Sequence, residues 1–114
     1  MTEADDFVPL EITHNQAASR FETEVQGQRA LLTYRLLGNT LFLDHTEVSS
    51  AIERRGIGSG LAHAALEYAR SKGLRVVPVC PFVAGYLRKH PEYQDLLAPA
   101  TRKRLLEQGP FTES

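Results

Sequence analysis

The chain has 114 residues, 13 basic and 14 acidic side chains for a net charge of −1, 42% hydrophobic residues and a single cysteine. That length predicts one α+β-sized domain spanning 1–114 with its kernel at about 19–97, and the balanced charge argues against a nucleic-acid or membrane partner. One cysteine excludes an internal disulfide, and a polar opening from Met1 to Asp6 with no long apolar run predicts a cytoplasmic protein whose residues 1–6 and 110–114 are flexible.

Phe21, Thr23 and Val25 alternate with Glu22 and Glu24, which predicts a half-buried strand. After a turn at Gln26-Gly27-Gln28, Ala30, Leu32, Tyr34 and Leu36 alternate through a second strand. Gly38-Asn39 tolerates positive φ and reads as a hairpin turn into a third strand, Thr40 to about Val48. The period then changes. Ile57, Leu61, Ala64, Ala65 and Tyr68 fall at helical spacing, and Lys72-Gly73 closes that helix with a basic last turn and a glycine. Arg75-Val76-Val77-Pro78-Val79 is a short apolar run, predicted to be a strand buried on both faces. A right-handed crossover sets it parallel to the third strand. Pro81 opens a second helix running through Tyr86 to Lys89, and Thr101 to Gln108 forms a short charged terminal helix. The fold class is α+β: a mixed sheet with an antiparallel three-strand meander, one parallel strand after a crossover helix, and packing helices.

Between the third strand and the first helix lies Arg54-Arg55-Gly56-Ile57-Gly58-Ser59-Gly60-Leu61. The N–H groups at a helix start have no intrahelical partners and carry the positive end of its dipole. Glycines let an anion approach the backbone, and Arg54 and Arg55 add directed charge. A pyrophosphate is the simplest ligand, so a nucleotide-like cofactor is expected. The dinucleotide pattern G-x-G-x-x-G fails, because Leu61 takes the last position, and the next strand ends in Pro78-Val79-Cys80-Pro81 without the acid that would hold a ribose. No P-loop is present. A tight strand-to-helix turn with no ligand would carry the same glycines.

A G-x-G opening a helix after a strand resembles the coenzyme A loop of the GNAT superfamily of N-acetyltransferases. The likeness extends to His45-Thr46-Glu47-Val48, to Gly56-Ile57-Gly58-Ser59, to Val77-Pro78-Val79-Cys80-Pro81-Phe82-Val83 and to Tyr86-Leu87-Arg88-Lys89-His90-Pro91-Glu92-Tyr93. In that order these segments resemble the compact branch of the superfamily, small GNAT-like proteins of similar length. The resemblance implies a GNAT-like sheet and an acetyl-CoA-dependent acyltransferase, with acetyl-CoA as cosubstrate and an amine or protein lysine as acceptor. It places the pantetheine arm along Glu47 to Ser49, with Val48 at its centre. The pyrophosphate falls on Arg54, Arg55, Gly56, Ile57, Gly58, Ser59 and Gly60, so Gly58→Val is expected to abolish binding and leave the fold intact. The chain departs from the pattern twice. Glu53 stands where the superfamily carries Arg or Gln, unless the register shifts to Arg55-x-x-Gly58-x-Gly60. The two helices that usually separate the first two strands are replaced by a turn near Gly27, which leaves the acceptor site open or completed by another molecule, with a homodimer as one possibility.

Acetyl transfer to an amine needs a base, because an alkyl ammonium of pKa ~10 must lose a proton before it attacks. His45 and Glu47 are two apart on one strand and share a face, so either can serve; the plainer reading makes them a structural imidazole and a surface charge. Cys80 is an ordinary buried cysteine, the proton donor to the leaving thiolate, or a covalent acyl carrier. Tyr86 resembles the superfamily's tyrosine acid, or packs under the sheet. His90-Pro91-Glu92-Tyr93 stops a helix and returns Tyr93 to the core. His14 and His63 have no metal-ligand spacing, so no metal is expected, and Arg102-Lys103-Arg104 reads as a solvated helix face. A non-catalytic acetyl-CoA-binding module, or an interaction domain with a vestigial cleft, fits the same sequence.

Overall fold

A computed structural model describes residues 11–52 and 56–108. A single five-stranded sheet runs in the order β1 (Thr13–Asn15), β2 (Arg20–Val25), β3 (Gln28–Leu37), β4 (Thr40–Val48) and β5 (Arg75–Pro78). Neighbours from β1 to β4 are antiparallel, and β4 and β5 are parallel. Helix α1 (Ile57–Lys72) makes the crossover between β4 and β5. Helix α2 (Pro81–Lys89), a 3-10 segment (Pro91–Leu96) and helix α3 (Pro99–Gln108) follow. This is the mixed-sheet α+β class expected from the sequence.

The helical stripe of α1 explains why one face of the sheet is covered. Ile57, Leu61, Ala62, Ala65, Leu66 and Ala69 are fully buried and join Leu32, Leu41, Leu43 and Val76 from the strands in one core. Each large aliphatic side chain buried this way contributes about 1.5–3 kcal/mol. Helix α1 stops where Gly73 turns left-handed at φ 67, its N–H closing on Arg70 O. The opposite face presents Glu24, Arg35, His45 and Glu47, all exposed. No described helix is long and apolar enough to cross a membrane.

Four details differ from the sequence reading. The short strand β1 is added; it pairs Thr13 to Asn15 with Arg20 to Glu22, and His14 stacks on Phe21 at 4.2 Å between ring centres. Strand β5 is an edge, not a strand buried on both faces: Val76 is buried, Val77 and Pro78 half-buried, and Val79 is 50% exposed. An edge also explains Pro78, which has no N–H for a second neighbour. Leu36 continues the alternation of β3 but is 45% exposed at the hairpin end. After Pro91 the chain forms a 3-10 segment, which seats Tyr93 in the core as expected.

Candidate functional site

The parallel pairing of β4 with β5 runs from Thr40–Arg75 to Leu43–Pro78 and ends there. Past that point β5 kinks. Val79 N–H bonds back to Val77 O at 3.1 Å, and Cys80 N–H reaches Leu43 O at 2.9 Å. From His45 to Val48, strand β4 pairs with β3 alone. The two strands therefore part beside Cys80, leaving one edge of β4 open.

The start of α1 lies next along the chain. Its N-cap is Gly56, left-handed at φ 71, a conformation that glycine takes without strain. No described side chain caps this end and no acid occupies the first turn. Gly60 N–H is taken by Gly56 O at 3.0 Å, so the helix's own bonding starts there and leaves the N–H groups of Ile57, Gly58 and Ser59 without helical partners. Gly58 is buried, and a Cβ built on it would meet the ring of Phe82. That glycine is thus accounted for by a side chain of α2, a contact between distant segments, and Gly58→Val, expected from the sequence to leave the fold intact, would instead press on that ring. Arg54 and Arg55 lie outside the described residues, as does Glu53.

A bulge in β4 decides which side chains reach the opening. Tyr34 pairs with Leu43 and Thr33 with His45, so Asp44 is an extra residue. Arg35 holds it in place from both guanidinium arms, Nε to Oδ2 at 2.7 Å and Nη2 to Oδ1 at 2.9 Å, while stacking over Phe42 at 4.8 Å. The extra residue inverts the alternation: Leu41 and Leu43 face the core, and beyond the bulge Thr46 and Val48 do, opposite Leu32 and Ala30. His45 and Glu47 consequently share the outer face, where His45 Nε2 meets Glu47 Oε2 at 3.0 Å. Since a carboxylate only accepts, Nε2 is the donor in this pair, and in the neutral ring Nδ1 is then the acceptor. Thr46, between them, faces Cys80, with Oγ1 and Sγ 3.4 Å apart. Cys80 is 5% exposed and caps α2. His45 and Cys80 are therefore placed on opposite faces of the sheet.

Tyr86 lies about 9 Å further along the axis of α2, at 1.5 Å per residue. Its ring stacks on His90 at 4.0 Å, and burial, with Glu92 and Glu67 nearby, raises its pKa. Tyr93 closes the same region, donating to Glu67 Oε2 at 2.5 Å and bonding His63 Nδ1 at 3.0 Å; burial and the Glu67 bond raise its pKa as well. Among the described residues no group of three or more acidic, His or Cys side chains is arranged to hold a metal ion.

A sheet that parts between parallel strands, followed by a glycine-led helix start, defines a class. The chain belongs to the GCN5-related N-acetyl-transferase family, whose family model matches residues 20–96. It is 31% identical over 96 residues to Protein NATD1 of Gallus gallus, covering 80% of this chain and 87% of that one. Protein NATD1 of Homo sapiens is likewise 31% identical over 96 residues, covering 80% and 85%. The solution structure of a GCN5-like protein from Staphylococcus aureus superposes with a TM-score of 0.62 at 31% identity, covering 78% of this chain and 88% of that one.

Proposed function

We propose that the chain transfers an acetyl group from acetyl-CoA to an amine, on a small molecule or a protein lysine. The observation that carries this reading is the uncapped start of α1, with Ile57, Gly58 and Ser59 N–H free of helical partners, beside the edge of β4 that β5 leaves open. Backbone donors and a helix dipole suit a pyrophosphate, and an unpaired strand edge suits an amide-bearing arm. Ile57, Ser59 and Gly58 would hold the phosphates together with Gly56 and Gly60 as the turn that shapes them, and Val48 would lie along the arm. Arg54 and Arg55 add charge to the same stretch.

When bound, acetyl-CoA supplies an acetyl group activated as a thioester. His45 Nδ1 accepts the proton of the incoming ammonium, its ring fixed by Glu47. Cys80 Sγ–H, aligned by Thr46, returns a proton to the departing sulfur. Tyr86, kept protonated by burial, is the second candidate for that step. The exposed outer face of β3 and β4 gives the acceptor, or a second copy of the chain, room to approach. A single reduced cysteine suits a cytoplasmic setting.

The separation of His45 from Cys80 favours one alternative, a module that binds acetyl-CoA without turning it over. Calorimetric titration with acetyl-CoA, paired with an assay of free thiol released in the presence of an amine library, divides the two. Binding with thiol release supports transfer, binding without release supports the module, and no binding overturns both.

A further inference from the structure

We propose that the groove between β5, α2 and α3 binds a small molecule with an apolar body and one carboxylate. The groove encloses about 280 Å³, at the lower end of the ~300–1,000 Å³ typical of small-molecule sites. Its walls are Val77 and Pro78 from β5, Ala84 from α2 and Leu105 from α3. Val77 and Pro78 are half-buried at the free edge of β5, and the buried Ala84 and Leu105 form the floor against which the groove opens.

The groove is a built feature rather than a gap beside a loose helix. Arg88 Nε donates to Leu105 O at 3.0 Å and fastens α2 to α3, while Arg75 Nη1 donates to Leu97 O at 3.2 Å and anchors the approach to α3. Among the described residues only two polar side chains line it, Thr101 and Arg104, and no acid does. The basic run on α3 is not uniform. Lys103 pairs with Glu107 at 3.8 Å, whereas Arg104 makes no hydrogen bond or ion pair among the described residues. A guanidinium unpaired among the described residues, at the edge of an apolar slot, matches a single planar anion in charge and shape, with the Thr101 hydroxyl as a further donor. Arg102, Lys103 and Arg104 are all exposed, as the sequence reading of a solvated helix face expects, and the groove beside Arg104 is walled by three separate elements that no local pattern joins.

The test uses hexanoate, 1-hexanol and hexylamine as probes, with the methyl groups of Val77, Ala84 and Leu105 followed by NMR. Hexanoate is expected to shift those methyls saturably and to bind about tenfold more tightly than hexanol, the scale of a charge-assisted hydrogen bond, with hexylamine weakest. Arg104→Gln, a change at an exposed position, is expected to erase the advantage of hexanoate and leave hexanol unchanged. Equal response to all three probes, no response of these methyls, or an unaltered hexanoate preference in Arg104→Gln would each overturn the proposal. The result is independent of acetyl-CoA binding, so failure here and failure of the acetyl-transfer reading are distinguishable.

Discussion

Gly58 lies against Phe82: a Cβ at residue 58 would come within 2.9 Å of Phe82 Cζ and 3.1 Å of Cε2. The first turn of α1 and the first turn of α2 thereby seat one another at the point where β4 and β5 part. Phe82 is 45% exposed, so its ring has room to yield outward.

Adding a methyl group at residue 58 sets two effects against each other. Helix propensity favours Ala over Gly by about 1 kcal/mol, and overpacking costs about 1–3 kcal/mol. Because the exposed ring can yield, the cost falls at the low end of that range, so Gly58→Ala is expected to be near neutral with Phe82 present and to stabilise the chain in a Phe82→Ala background. Urea unfolding of the four chains should give a coupling of about 1 kcal/mol. Simple additivity would show that the ring is not what keeps residue 58 a glycine.

If His45 takes the acceptor's proton, His45→Ala lowers thiol release by about 10²-fold or more, the usual contribution of a general base. Glu47→Gln has a smaller effect, because the amide still hydrogen-bonds the ring. Acetyl-CoA affinity by calorimetry stays within about twofold in both, since neither side chain faces the α1 side of the sheet. A parallel loss of affinity would assign the pair to cofactor binding.

For Cys80 the expected role is proton donation, so Cys80→Ala slows turnover about tenfold or more. Intact-mass analysis after incubation with acetyl-CoA is expected to show no added acetyl group on the wild-type chain. An adduct present in the wild type and absent from Cys80→Ala would instead make the thiol a covalent carrier. Tyr86→Phe, measured alongside, identifies the donor if Cys80→Ala keeps full activity.

His14 predicts the acid limb of the stability profile. Burial lowers its pKa below the ordinary 6.5, and it packs on Phe21 while sharing a 2.6 Å hydrogen bond with the Tyr34 hydroxyl. The unfolded chain then binds the proton more readily, so the stability His14 contributes is present above pH 6.5 and lost as pH falls through its lower folded value. Thermal unfolding of the wild type should weaken across that window, and His14→Gln should show a shallower slope.

Most of the sheet and helix α1 are readable from apolar period, because Phe21, Leu32 and Leu61 sit on stripes that only one element type can bury, whereas α2 is read from Pro81 at its first turn and α3 as a short charged stretch. Strand β1 escaped because Thr13-His14-Asn15 has no alternation; what fixes it is a histidine stacked on a phenylalanine. The edge position of β5 escaped because an apolar run does not say what lies beyond it. In the site, the shared face of His45 and Glu47 follows from their spacing, but which face they take does not. Thr46 as the partner of Cys80, and Phe82 as the neighbour of Gly58, are contacts between distant segments that no local pattern records.

The surplus residue at Asp44 gives β4 one residue more than an unbroken ladder with β3 needs. With Asp44 removed, His45 would follow Leu43 directly opposite Thr33, and Thr46 would stay opposite Leu32, so an unbroken ladder would keep every side chain on its present face while the ion pair to Arg35 was lost. Deleting Asp44 should therefore cost the chain a local bend and a surface ion pair but not its core, which makes this residue a bend-setter that the apolar pattern does not itself require.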